Sequence, residues 1–132
     1  MKYLLIMCCL VFIKTAGNAQ TKNGTEMKHP STEIIRYIIP SEKHSEFEKA
    51  YATAAGYLKQ SAYCLNYQIL HGDEEPNNYM VIITWKSKED HLNGFRNSEE
   101  FRSFFNLVRP YYNNIQEMKH YMISEVRWTR PE

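Results

Sequence analysis

Apolar residues dominate Glu33 to Ile39 (EIIRYII), a β-branched stretch stopped by Pro40, and predict a first strand. Past Pro40 the period lengthens. Phe47, Ala50, Tyr51, Ala54 and Leu58 fall at i, i+3, i+4, i+7 and i+11, the single apolar stripe of a helix that Ser41 is placed to cap. Gly56 sits inside that helix and weakens it slightly. From Ala62 to Leu70 the period becomes two, with Tyr63, Leu65, Tyr67 and Ile69 on one face. His71 to Asn78 (HGDEEPNN) reads as a turn, and Tyr79 to Trp85 (YMVIITW) as a third strand. Ser87-Lys88-Glu89-Asp90 then has a capping-box pattern and starts a short helix. Asn97-Ser98 restarts a second one, with Phe101, Phe104, Phe105 and Val108 at helical spacing, and Pro110 ends or kinks it. Gln116 to Val126 is the final strand.

The predicted order is β-α-β-β-α-β, an α+β chain with the split βαβ arrangement of ferredoxin-like domains and a four-stranded antiparallel sheet. Helices cover one face of such a sheet, yet the strands are apolar on both. Tyr79, Val81, Ile83 and Trp85 alternate with Met80 and Ile82, and Ile34 and Ile38 oppose Ile35 and Ile39. A half-covered antiparallel sheet should be polar on its open face. An open apolar face implies a partner, and the economical one is a second copy, packed sheet on sheet with two-fold symmetry. A homodimer is expected.

The chain's start belongs to a different category. Lys2 precedes an unbroken apolar run, Tyr3 to Ile13, and a small, polar segment ends at Gly17-Asn18-Ala19. This is the order of a secretory signal peptide, residues 1–19, cleaved after Ala19; the run is too short to span a bilayer. The expected location is therefore exported, periplasmic or secreted, with no membrane attachment after cleavage. Residues 20–32 are polar and aperiodic and read as a flexible spacer, in which Asn23-Gly24-Thr25 is a weak glycosylation sequon. The domain proper spans 33–126, with a short tail at 127–132. Loss of Lys2 and Lys14 leaves a net charge of −1 from a starting +1, so nothing favours nucleic acid as a partner. Cys8 and Cys9 leave with the prefix. The remaining Cys64 has no internal disulfide partner and reads as a small buried hydrophobe.

The stretches CLNYQILHGDEEPNNYMVIITW, WKSKEDHLNGFRNSEEF and KHYMI, which carry the likeness from Cys64 to His120, resemble the antibiotic biosynthesis monooxygenase family of the dimeric α+β barrel superfamily. The likeness lies in Trp-x-Ser-x-Glu at the third strand's end, the following His and Phe-Arg-x-Ser, and a His in the last strand. It implies the same fold, a dimer, and for members that oxygenate, chemistry without metal or flavin. In that chemistry a phenolic or quinol-type substrate is deprotonated and gives its own electrons to dioxygen. The haem-degrading branch of the superfamily is a poor match. Aligned on Ser98 and Phe101, its Trp falls on Phe95 and its His on Phe105, leaving no obvious iron ligand.

Such a reaction needs a base near neutral pKa, a cation or donor for oxyanion charge, and a dry apolar pocket. His91 and His120 are the candidate bases. Arg96, Tyr67 and Asn66 are placed to orient or stabilise an anionic oxygen, and Arg96 is grouped with the histidines as catalytic. Trp85, Phe95, Phe101, Phe104, Phe105 and Tyr121 are the expected aromatic walls. Each has a plainer reading: His91 solvated near a helix start, His120 satisfied between Met118 and Met122, Arg96 paired with Glu99 or Glu100, the phenylalanines simply core. The break near Gly94 is expected to turn Phe95 inward and to leave Arg96 and His91 at a pocket mouth. The five histidines show no His-x-x-x-His or Cys-x-x-Cys spacing, so no metal site is written locally and no cofactor is expected. Two functions remain: a cofactor-independent monooxygenase acting on a small aromatic substrate, or a non-catalytic exported dimer that binds an apolar small molecule.

Overall fold

The structure, a computed structural model, describes residues 28–132; the expected signal peptide and most of the spacer lie outside that range. The first strand, β1, runs Ser31–Ile38, so its start takes in the last two residues of the expected spacer. Its side chains alternate strictly: Ser31, Glu33, Ile35 and Tyr37 are buried, while Arg36 and Ile38 point to the open side. After Pro40 a single 3-10 turn (Ser41–Lys43) leads into helix α1, His44–Gln60. Ser41 does not cap that helix. It lies within the 3-10 turn, and neither helical start has a side-chain cap bond. Helix α1 is held by its stripe instead, burying Phe47, Tyr51, Ala54 and Leu58 against the sheet and α2.

Strand β2 (Cys64–His71) pairs antiparallel with β3 (Asn78–Trp85). The expected alternation from Tyr63 fails at Leu65. The register shifts between Cys64 and Asn66, Cys64 pairs with Trp85 and Tyr67 with Ile83, and the extra residue Leu65 is left half exposed. This is a β-bulge, which resets which residues face inward. Strand β3 buries Tyr79, Val81, Ile83 and Trp85 as expected.

Between β3 and the next helix the chain winds through a π-helical turn, Asp90–Gly94, and a 3-10 turn, Phe95–Asn97. Ser87 starts this passage, its hydroxyl accepting from the Asp90 amide at 3.0 Å. Helix α2 (Glu99–Val108) restarts at Ser98, whose hydroxyl accepts from the Phe101 amide, with Glu99 and Glu100 in the favoured first turn. Pro110 sits in the first turn of a 3-10 segment, Arg109–Asn114, that delivers the chain to β4, Ile115–Met122. The last strand ends four residues short of the expected Val126. Met122 pairs with Ser31, the first residue of β1, so beyond it no partner strand remains; Val126 is 93% exposed.

The sheet order is β2-β3-β1-β4, antiparallel throughout, and the fold is the ferredoxin-like α+β arrangement. Both helices lie on the face that carries Ile35, Tyr37, Val81 and Ile83. The opposite face carries Ile34, Ile38, Met80 and Ile82 at its centre, with Thr32, Arg36, Glu117 and Lys119 among them. It is therefore more mixed than the strand pattern alone suggests, with an Arg36–Glu117 ion pair at 3.3 Å. Among the described residues no helix is long and apolar enough to cross a membrane.

Candidate active site

Where α2 and the irregular passage before it lie over β1 and β4, they leave a cavity of about 400 Å³. The passage explains the space. A continuous α-helix from Ser87 would keep one stripe on the sheet, whereas a π turn followed by a 3-10 turn rotates the chain. His91 and Phe95 then point inward, 2% and 1% exposed, while Arg96 stays at the edge. Gly94 sits at the junction against the Tyr63 ring, where an added Cβ would lie 2.6 Å from the ring.

Most of the cavity wall is apolar: Ile35, Ile83, Trp85, Phe95, Phe101, Phe104, Phe105, Val108, Ile115 and Met118. One end is polar. Glu33 projects from β1, 3% exposed, and its Oε2 accepts a bond from the Trp85 indole N–H at 3.1 Å. His91 lies flat on Trp85, ring centroids 4.3 Å apart and planes 4° from parallel. Its Nε2 is 3.5 Å from Glu33 Oε2 and 3.4 Å from the Arg96 Nε, which donates to it. Its Nδ1 is 2.7 Å from His120 Nε2. Since Nε2 accepts from Arg96, the neutral His91 ring carries its proton on Nδ1 and donates it to His120, a tautomer assigned from the bonding pattern. His120 in turn stands beside Glu33, its partner across the β1–β4 ladder.

Burial sets the charge states. It pushes the Glu33 carboxyl up to about 7 from its ordinary 4.5, against the Trp85 hydrogen bond and the Arg96 charge, which pull it down. It pushes His91 down from 6.5 to about 3, with Arg96 and His120 adding to the effect, so this ring is neutral at physiological pH. His120 is also lowered, by burial and then by Lys88 and Arg96, with Glu89 opposing. On the sheet side, the Tyr37 and Tyr51 hydroxyls share a 2.6 Å bond, and burial raises Tyr37 to about 12 and holds Tyr51 well above its ordinary value.

Eight of the eleven residues expected at the site meet here. His91, Arg96, Trp85, Phe95, Phe101, Phe104 and Phe105 line the cavity, and His120 joins through His91. Arg96 does not pair with Glu99, which Arg102 engages instead; its guanidinium spans His91 and the Met118 sulfur. Three residues fall elsewhere. Asn66 and Tyr121 pair with Thr84 and Thr32 and share their outward face, away from the helices. Tyr67 does face inward, but on edge strand β2, with β3 between it and the cavity. Sequence reasoning missed Glu33, Tyr37, Tyr51, Tyr112 and Met118 as site residues. For Glu33 the signal was present: it occupies an inward register with Ile35 and Tyr37, where an acid has no place in a simple core. Cys64 is half-buried and its thiol is raised to about 11 by burial, which leaves it unreactive.

Although no metal spacing is written locally, the fold assembles Glu33, His91 and His120 with one ligand-type atom each within 4.8 Å. His120 meets Nδ1 of His91 while Glu33 meets Nε2, and the lone-pair directions of those two nitrogens diverge. Arg96 places a cation beside Nε2 as well. The arrangement is a chain of proton-bearing groups with His91 in the middle.

Residues 30–107 match the family model for antibiotic biosynthesis monooxygenase, more than half of the sequence. The chain belongs to this family. A curated relative, the uncharacterized protein YczJ of Bacillus subtilis (strain 168), is 28% identical over 76 residues, 58% of this chain and 80% of its own. A Bordetella bronchiseptica structure named for the same family superposes with a TM-score of 0.62 at 20% identity, covering 74% of this chain and 99% of that one. SnoaB, a cofactor-independent oxygenase from Streptomyces nogalater, gives 0.56 at 19% identity, over 79% of this chain and 99% of its own. At these identities the superpositions establish the shared fold; the oxygenase activity is that of SnoaB. Family membership makes the chain an antibiotic biosynthesis monooxygenase-type domain.

Proposed function

We propose that this family member is a cofactor-independent monooxygenase acting on a small aromatic, quinol- or phenol-type substrate. The observation that carries the reading is the cavity itself: a largely aromatic enclosure with a polar end that joins a carboxyl, a neutral imidazole and a guanidinium. Flat aromatic substrates are complementary to such walls. An ionised substrate oxygen is complementary to Arg96, whose side chain is held among the described residues by long contacts to His91 and Met118, at 3.4 and 3.6 Å, and is free to turn to it. The dry surroundings strengthen that attraction and favour an electron-rich anion that donates directly to dioxygen. One oxygen atom enters the substrate and the other leaves as water, all four electrons coming from the substrate.

The decisive measurement is oxygen uptake by the purified protein with a panel of quinols and anthrones. Uptake of one dioxygen per substrate, giving an anthraquinone from an anthrone or a hydroxyquinone from a quinol with one new oxygen atom and no peroxide, supports the reading. Binding of these compounds without uptake would instead identify a non-catalytic carrier of apolar small molecules. Two further parts of the reading rest on sequence pattern: a two-fold homodimer formed through the helix-free sheet face, and export directed by residues 1–19.

A further inference from the structure

We propose that Glu33 takes the substrate's proton, and that His91 and His120 carry it from the cavity to solvent. The reading of the substrate as an aromatic hydroxyl compound comes from the preceding section; the proton path stands on the side-chain geometry. Among the described residues Glu33 is the one carboxylate on the cavity wall, and its Oε2 lies 3.5 Å from His91 Nε2, one small side-chain rotation from a hydrogen bond. His91 bridges onward through Nδ1 to His120 Nε2 at 2.7 Å. His120 is half-buried on β4 and is the member of the three that opens toward the surface. The order is thus cavity, Glu33, His91, His120, solvent.

Proton bookkeeping closes along this line. The substrate O–H breaks and a Glu33 O–H forms. That proton passes to His91 Nε2 while the Nδ1 proton leaves for His120 Nε2, and His120 releases its Nδ1 proton to water; the same line run in reverse returns a proton when the second oxygen atom leaves as water, which restores both tautomers. His91 never has to persist as a cation, which its burial and the adjacent Arg96 disfavour. Before the substrate ionises, Arg96 Nε occupies the Nε2 face of His91. Movement of Arg96 to the new oxyanion clears that face, so the relay opens when the anion forms. The groups facing Glu33 are Trp85 from β3, His120 from β4, His91 and Arg96 from the passage before α2, and the Tyr37–Tyr51 hydroxyls; Arg96 is the cation among them. A Glu33 carboxyl poised at about 7 matches what a general base working near neutrality needs. The two histidines alone would leave no acceptor facing the substrate.

Trp85 reports on Glu33 directly, through its N–H bond to the carboxylate and its stacking on His91. In a Trp128→Phe background, which removes the exposed tail tryptophan, Trp85 emission is expected to titrate with one transition near pH 7 that disappears in Glu33→Gln. A transition that survives Glu33→Gln overturns the proposal. Histidine-selective ¹⁵N spectra should show His91 protonated at Nδ1 and bare at Nε2, and the opposite tautomer also overturns it. With dithranol as the anthrone probe, Glu33→Gln should lower oxygen uptake ~10²- to 10⁴-fold, unrestored by added buffer. His120→Ala should be slowed less and be restored by added imidazole, which replaces the exit; wild-type rates at every buffer concentration refute that exit. Absence of uptake by the wild-type protein with every quinol and anthrone defeats the oxygenase reading alone. The Trp85 titration and the His91 tautomer still decide the proton path.

Discussion

At the scale of single residues, Glu33 and His91 are buried ionisable groups whose protonation is shifted in opposite directions, and stability must record this. Folded Glu33 holds its proton up to about pH 7 whereas the unfolded carboxyl loses it near 4.5, so stability falls as pH rises between those values. Folded His91 refuses a proton until about pH 3 while the unfolded ring takes one near 6.5, so stability rises with pH across that window. The two slopes oppose each other between pH 4.5 and 6.5. Relative to wild type, the Tm of Glu33→Gln should therefore climb as pH goes from 4.5 to 7, and that of His91→Phe should decline from pH 3 to 6.5. Calorimetry at a series of pH values reads both, and flat difference curves would mean that the groups titrate normally in the folded chain. The same pair shows what a sequence can disclose about a site. His91, Arg96 and the aromatic walls were readable because they cluster within one short stretch, Trp85 to Phe105. The alternation of β1 exposed Glu33 as an inward acid but not its role, because it lies 52 residues from its partner Trp85 and that role exists only once β1 and β3 are paired.

At the scale of elements, periodicity located every strand and both helices, and it failed where backbone geometry departs from a regular repeat. The β2 bulge displaced Leu65 from the inward set, and the missing partner beyond Ser31 cut β4 short; neither is encoded in hydrophobic alternation. The π and 3-10 turns before α2 were visible only as a break at Gly94. Two glycines in these elements give contrasting expectations. A Cβ on Gly56, within α1, meets nothing within 4 Å, so Gly56→Ala should stabilise by ~0.5–1 kcal/mol, a gain of a few degrees in Tm. A Cβ on Gly94 lies 2.6 to 2.8 Å from three Tyr63 ring atoms, so Gly94→Ala must push that ring aside and should cost ~1–3 kcal/mol. Thermal denaturation of both variants tests the assignment, and a neutral Gly94→Ala would show that the packing of the π turn on Tyr63 is loose.

At the scale of the whole molecule, the sheet has one face built into the core and one face left to the surroundings. The open face carries Ile34, Met80 and Ile82 at partial burial on the two central strands, with Ile38 and Leu70 46% and 47% exposed. Strands that are polar at the margins and apolar at the centre suit a self-complementary interface, with charges such as Arg36 and Glu117 able to serve as its rim. A two-fold pairing of this face is expected to bury ~2,000 Å² or more, in the range of obligate dimers. Light scattering at micromolar concentration should then give twice the chain mass. Ile34→Glu, which puts two like charges near the centre of a symmetric contact, should halve that mass while the near-ultraviolet circular dichroism of the buried aromatics persists. A monodisperse monomer of the wild-type chain would rule the pairing out. Because the cavity lies on the other side of the sheet, a folded Ile34→Glu monomer should also retain the Trp85 titration, which separates the integrity of the site from that of the assembly.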